Sequence, residues 1–129
     1  MVFQAADDVL VRVHASGVNF FEVPMRRDRY AVTPPLPARL GVEATGSETV
    51  LPVGSRVAVP LFAHGRDGGY AGYVVVKEMV CVPLPDEVPF DAAVALQVQG
   101  LTAFHAVRQT SPEGRTVLVT AASGGVGRY

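Results

Sequence analysis

Tryptophan is absent from the 129 residues, and cysteine occurs once, at Cys81. A single thiol excludes an intrachain disulfide and any thiolate cluster of the kind that holds structural zinc. Cys81 is expected to be a buried small hydrophobe. Neither sign of charge is in excess: 11 Lys and Arg against 12 Asp and Glu leave a formal net charge of -1. Without a basic run, neither nucleic acid nor an anionic membrane surface is implied as a partner. No apolar stretch reaches the roughly 18–20 residues that span a bilayer, and Met1–Asp8 lacks the basic and apolar regions of a signal peptide. A cytoplasmic protein is the expectation. The chain is 49% hydrophobic and 18% charged, the composition of an ordinary globular domain with its own core.

Alternation comes first along the chain. Val9, Val11 and Val13 are spaced by Leu10, Arg12 and His14, the period of a strand with one buried face. Further strands are expected at Arg56–Leu61, Tyr70–Val76 and Val80–Val82, separated by turn-forming residues. Pro24–Pro37 carries a cluster of arginines and then three prolines, which favours an exposed loop. Ala63–Gly69 holds three glycines and is expected to be a second, mobile loop. A short helix is expected from Phe90 to Leu96 after Pro89. Gly100 then interrupts it, and a second helix carries Leu101, Phe104 and Val107 as far as Ser111–Gly114. Short strands with frequent turns suggest a small barrel or sandwich, mainly β with short helices.

Thr116–Thr120 is a β-branched apolar run that leads at once into Ala121-Ala122-Ser123-Gly124-Gly125-Val126-Gly127. A strand entering Ala-x-x-Gly-x-x-Gly opens a dinucleotide-binding βαβ unit, whose small residues let the backbone approach a pyrophosphate. The motif draws its strength from the helix that follows it, and here only Arg128 and Tyr129 follow. A flexible tail after a last strand is therefore the competing expectation.

Taken together, Val9–Val13, Ala15-Ser16-Gly17-Val18-Asn19, Gly41-Val42-Glu43-Ala44-Thr45-Gly46, Gly68-Gly69-Tyr70-Ala71 and Gly100-Leu101-Thr102-Ala103 before the glycine turn resemble, in order, the zinc-independent quinone oxidoreductases. These zeta-crystallin-like proteins are a branch of the medium-chain dehydrogenase/reductase superfamily. The resemblance implies a GroES-like, partly open barrel over residues 1–114. Only the first strand and glycine turn of a Rossmann fold would follow, over 115–129. It also implies a truncated member, lacking the family's N-terminal hairpin and shortened between Gly46 and Val53. The activity implied is NADPH-dependent reduction of a quinone or enone, with hydride transfer beyond the reach of this chain alone. Where zinc-dependent relatives carry a cysteine and a histidine, Asn19 and Val42 stand here, so no zinc is expected.

Under the resemblance, the cofactor-binding residues are Ala122, Ser123, Gly124, Gly125, Val126 and Gly127, and the catalytic candidates are Asn19 and Tyr30. Asn19 is an amide suited to orient a carbonyl substrate or a nicotinamide amide; it would equally suit a strand end bonded to its own backbone. Tyr30 matches a tyrosine near cofactor and substrate, where a phenol stacks on a quinone or donates to its oxygen; otherwise it anchors the proline-rich loop. Glu43, flanked by glycines, is read as a cap for backbone N–H groups in a tight turn rather than a general base. Arg26, Arg27, Arg29 and Arg39 are read as solvated. His14, His64 and His105 show no metal-ligand spacing, and Ser16, Thr102 and Ser123 have no nucleophile setting. The expected partner is an apolar carbonyl or quinone-like small molecule, together with a second copy or a complementing chain. Three alternatives stay open: a free-standing module that binds an apolar carbonyl ligand, a non-redox cyclase or isomerase derived from the reductase, and a self-associating remnant whose last strand, Thr116–Thr120, pairs between chains.

Overall fold

The computed structural model describes residues 6–48, 53–65 and 68–129. Five antiparallel strands form one open sheet: β1 (Asp8–Ser16), β2 (Ala44–Glu48), β3 (Arg56–Val59), β4 (Tyr73–Lys77) and β5 (Val82–Pro83). Their order across the sheet is β4-β1-β2-β3-β5. The valine alternation sets the register. Val9 faces Val76 and Val11 faces Val74 across the β1–β4 ladder, and all four side chains are buried. With Val57, Val59, Leu61 and Val80 they form the core, against which Val13 and Cys81 pack. Each such burial contributes on the order of 1.5–3 kcal/mol, so slipping a strand by one residue would forfeit several at once. Cys81 is half-buried, at the rim of the core rather than within it.

The strand that the sequence pattern does not announce is β2. Ala-Thr-Gly-Ser-Glu has no β-branched alternation, yet it occupies the middle of the sheet. Its small residues explain the position: a Cβ on Gly46 would lie 2.9 Å from the Arg12 carbonyl carbon of β1, so only glycine allows the two backbones to approach so closely. The pairing register shifts between Val13 and Ala15. This irregularity turns the end of β1 toward the loop that carries Asn19.

The expected strands at 56–61 and 70–76 are present with shifted ends. Of 80–82 only Val82 is in a strand, because Glu78–Val80 forms a 3-10 turn. The proline-rich loop yields one short helix, α1 (Glu22–Met25). Pro24 sits in its first turn, where a missing N–H costs nothing. The segment 90–110 is one continuous helical path: α2 (Phe90–Ala95), a π-helical turn (Leu96–Gly100) and α3 (Leu101–Thr110). Gly100 is helical, with φ -66°, and interrupts nothing. Helix α2 lies across β1, β2 and β3. It is held there by Thr45 Oγ1, which donates to the Phe90 carbonyl at 2.8 Å, and by the Phe90 ring, which stacks on His14 and lies under the Arg56 guanidinium.

Two expectations need correction or restriction. Residues 116–119 belong to no strand, and Val117, Leu118 and Val119 are exposed, Leu118 by 88%. A β-branched run becomes a strand only when a neighbour completes its ladder, and no described strand lies beside it. Residues 49–52, within the segment expected to be shortened, lie outside the described residues, as do Arg66 and Asp67 of the glycine-rich loop. The flanking Phe62–His64 forms a 3-10 turn. No helix among the described residues is long and apolar enough to cross a membrane.

Candidate active site

Beyond β1 the chain enters α1 through Gly17, Val18 and Asn19, and Asn19 is only 3% exposed. Its backbone N–H donates to Glu22 Oε2 at 2.9 Å, where the first residue of α1 reaches back three positions. Glu22 also accepts from the Gly41 N–H at 2.8 Å and from the Tyr70 hydroxyl at 2.6 Å. The Asn19 side chain donates through Nδ2 to Glu43 Oε1 at 2.8 Å. Glu43, 1% exposed, accepts through Oε2 from the Val98 N–H at 2.8 Å. Two buried carboxylates thus join the loop after β1, the start of β2, the Gly69–Tyr70 corner and the π-helical turn. Glu43 therefore does not cap the expected tight turn of its own segment but accepts from a backbone N–H 55 residues away.

The glycines of the two motifs make room for this network. A Cβ on Gly17 would lie 2.6 Å from Glu43 Cδ. Gly41 has φ +101°, and its Cβ would lie 2.7 Å from the Gly69 carbonyl carbon. Gly17 therefore belongs to the seat of Glu43, and Gly41 to the close crossing that brings Tyr70 to Glu22.

Burial sets the electrostatics. Desolvation raises the Glu43 carboxyl above its ordinary value of 4.5; the bonds from Asn19 and Val98 pull it down, and the Glu22 charge adds to the rise. The Tyr70 phenol is likewise raised above its ordinary range, first by burial, then by its bond to Glu22 and the charges of both glutamates. The sign follows for a group whose folded value exceeds its unfolded one. The Glu43 contribution to stability is fully present below 4.5 and is lost as pH rises through the raised folded value. Urea unfolding across that window is expected to show wild-type stability declining with pH and a shallower decline in Glu43→Gln; equal slopes would remove Glu43 as the source.

Asn19 lies on a cleft of about 480 Å³ that is also lined by Phe21, Tyr30, Phe62, Gln99 and Gly125. Phe21 stacks on Tyr30 with ring centroids 5.5 Å apart and meets the tilted Phe62 ring at 5.6 Å, so a cluster of three aromatic rings lines the cleft. The expected residues Asn19, Tyr30, Gly125 and Val126 share this cleft. Ala122, Ser123, Gly124 and Gly127 lie on the same turn outside its lining. The turn itself requires its glycines, because a Cβ on Gly127 would lie 2.9 Å from Ala122 Cα and one on Gly125 would lie 2.8 Å from Gln99 Nε2. Gln99 and Val98 escaped sequence reasoning because a π-helical turn has no sequence signature. Glu22 had one, in its spacing of three residues from Asn19.

The remaining candidates scatter. His14 sits within 3.3 Å of Ser47 Oγ and stacks on Phe90, so it serves the fold. His64 and His105 are exposed, as are Arg26, Arg27, Arg29 and Arg39. Among the described residues, no group of three or more His, Cys, Asp and Glu is placed to hold a metal ion.

Comparison with known proteins bears on the same segments. The family model described as "Alcohol dehydrogenase GroES-like domain" matches residues 5–86. A quinone oxidoreductase of Pseudomonas aeruginosa is 41% identical over 131 residues, covering 95% of this chain and 39% of that protein. The mouse quinone oxidoreductase is 35% identical, with 92% and 38% covered. The crystal structure of the quinone oxidoreductase from Thermus thermophilus, also solved with NADPH, superposes with a TM-score of 0.79 at 31% identity, over 96% of this chain and 40% of that one. The chain spans about two fifths of the length of these relatives.

Proposed function

The chain belongs to the alcohol dehydrogenase GroES-like domain family, in the quinone oxidoreductase-like branch of the medium-chain dehydrogenase/reductase superfamily, and we propose that it forms the substrate-side wall of an NADPH-dependent quinone or enone reductase. The observation that carries this reading is the meeting of Asn19, Tyr30 and the Gly125–Val126 turn on one cleft. NADPH, when bound, would supply hydride to the substrate. The stacked Phe21 and Tyr30 rings offer a planar quinone an apolar face. Asn19 offers the one buried polar side chain among the residues that line the cleft. The glycines between Ala122 and Gly127 would let backbone come close to the diphosphate. In this reading, residues 1–114 are the substrate-side domain and 115–129 belong to the cofactor-binding domain.

The 129 residues by themselves are proposed to hold the planar ligand without completing hydride transfer. Two features support this. The bonds of the Arg128 and Tyr129 N–H groups to Gly124 and Val126, each at 3.3 Å, amount to a single helical turn over these residues. The run before it belongs to no strand and is exposed. Calorimetric titration with a naphthoquinone is expected to show binding that weakens about tenfold, or about 1.4 kcal/mol, in Tyr30→Leu. NADPH is expected to be neither bound below millimolar concentration nor consumed. Quinone reduction by these residues with only NADPH added would refute their incompleteness, and no affinity for any quinone or enone would refute the cleft assignment itself.

A further inference from the structure

An ionised carboxylate accepts hydrogen bonds and donates none. Glu43 acts as acceptor at both oxygens, from Asn19 Nδ2 and from the Val98 N–H. The Asn19 amide therefore has one tolerable orientation. Turned over, it would set Oδ1 against Glu43 Oε1, two buried acceptors at contact distance with no proton between them. Glu43 lies behind Asn19 and is absent from the cleft lining, whereas Gln99 is part of that lining, with Nε2 3.5 Å from Asn19 Oδ1. The nitrogen of the Asn19 amide thus faces the carboxylate, and its oxygen faces the Gln99 side.

We propose that Glu43 is a positioning residue that turns the Asn19 carbonyl oxygen toward the cleft, so that the site selects ligands presenting an O–H or N–H donor at that point. The inference rests on the reading of this cleft as the substrate side of a reductase, and it names which ligand state Asn19 favours. A quinone oxygen carries only lone pairs and meets Asn19 Oδ1 as a second acceptor. A hydroquinone hydroxyl donates to it. A primary carboxamide, such as that on a nicotinamide ring, offers the same donor chemistry, so the two sources have to be separated by experiment.

The Glu43→Gln variant gives the sharpest test, because the Val98 N–H is a backbone donor that cannot turn. The introduced glutamine would be obliged to present its oxygen to Val98 and its NH2 to position 19. Asn19 would then turn over, and its own NH2 would face the cleft. In 15N-labelled protein, with the Asn19 side-chain pair identified by its loss in Asn19→Ala, one amide proton is expected to be shifted downfield by the carboxylate. The shift should collapse in Glu43→Gln and persist in part in Glu43→Asp, which keeps the charge. Circular dichroism of each variant verifies that it folds.

Binding is then measured by calorimetry for two pairs: hydroquinone against its dimethyl ether, and nicotinamide against its methyl ketone analogue. The wild-type protein needs no variant to show the preference. Hydroquinone is expected to bind about tenfold more tightly than the ether. In Glu43→Gln that ratio should fall to near unity while quinone affinity rises. A donor preference confined to the nicotinamide pair supports the same polarity and identifies the carboxamide as its source. Equal affinities within both pairs in the wild type, or an Asn19 amide shift unchanged in Glu43→Gln, would overturn the proposal. If the shift collapses but none of the four compounds binds, the reductase reading of the cleft fails and donor selection fails with it, while the positioning of Asn19 by Glu43 stands.

Discussion

Replacing Glu43 with leucine is expected to destabilise the protein by several kcal/mol, more than any other single change around the cleft. Glu43 is the acceptor for two donors, Asn19 Nδ2 and the Val98 N–H. Leucine fills a similar volume but accepts from neither. A buried donor left without a partner costs about 1–3 kcal/mol, so losing both would consume a large part of the roughly 5–15 kcal/mol that holds a domain folded. An opposing effect also operates, since removing a buried charge relieves its desolvation, the same cause that raises the Glu43 pKa. The orphaned donors are expected to win. Asn19 is 3% exposed, and Val98 is fixed by the helical path, so neither can turn to water. Glu43→Gln, which keeps an acceptor for Val98, should lose clearly less. Urea unfolding midpoints at neutral pH rank the two variants, and a leucine variant as stable as the glutamine variant would mean that relief of desolvation dominates.

Gly41→Ala is expected to be the most damaging of the glycine substitutions with an internal control. At φ +101° any side chain is strained, at a cost of about 1–2 kcal/mol. The added Cβ would also fall on the Gly69–Tyr70 backbone, and such overpacking costs roughly 1–3 kcal/mol more. Neither segment can yield cheaply. Gly69 N–H bonds to the Gly41 carbonyl at 2.8 Å, and Tyr70 N–H to the Leu40 carbonyl at 3.0 Å. Gly54 has a similar φ of +93° with nothing within 4 Å of its Cβ position, so Gly54→Ala carries the strain alone. Thermal midpoints of the two variants should differ by the overpacking cost. Equal losses would show that the crossing at Gly41 relaxes freely.

How much of this was legible beforehand differs from element to element. The β1, β3 and β4 strands could be read because their valines alternate, and burial of one face is what makes a half-buried strand stable. The β2 strand could not, since its small residues fit it to a close backbone crossing and leave no hydrophobic period. The run at 116–119 shows the converse: its propensity is high, but no neighbour completes its ladder, and it stays exposed. In the candidate site, Asn19 and Tyr30 could be singled out by motif and resemblance. Val98 and Gln99 could not, because their role comes from a π-helical turn that brings them back to residues some 55–80 positions earlier.

The amino-acid sequence alone determined which faces of the valine strands are buried and to which family the chain is akin, because these follow from local period and from motifs in order. The need for glycine at Gly17, Gly41 and Gly46 arises instead from crossings that only the folded chain makes. The direction of the Asn19 amide was decided only by the tertiary structure. A carboxamide is nearly symmetric in shape, and what distinguishes its two ends is the partner each one meets. For Asn19 that partner is the carboxylate of Glu43, 24 residues along the chain, which the folded sheet brings to 2.8 Å.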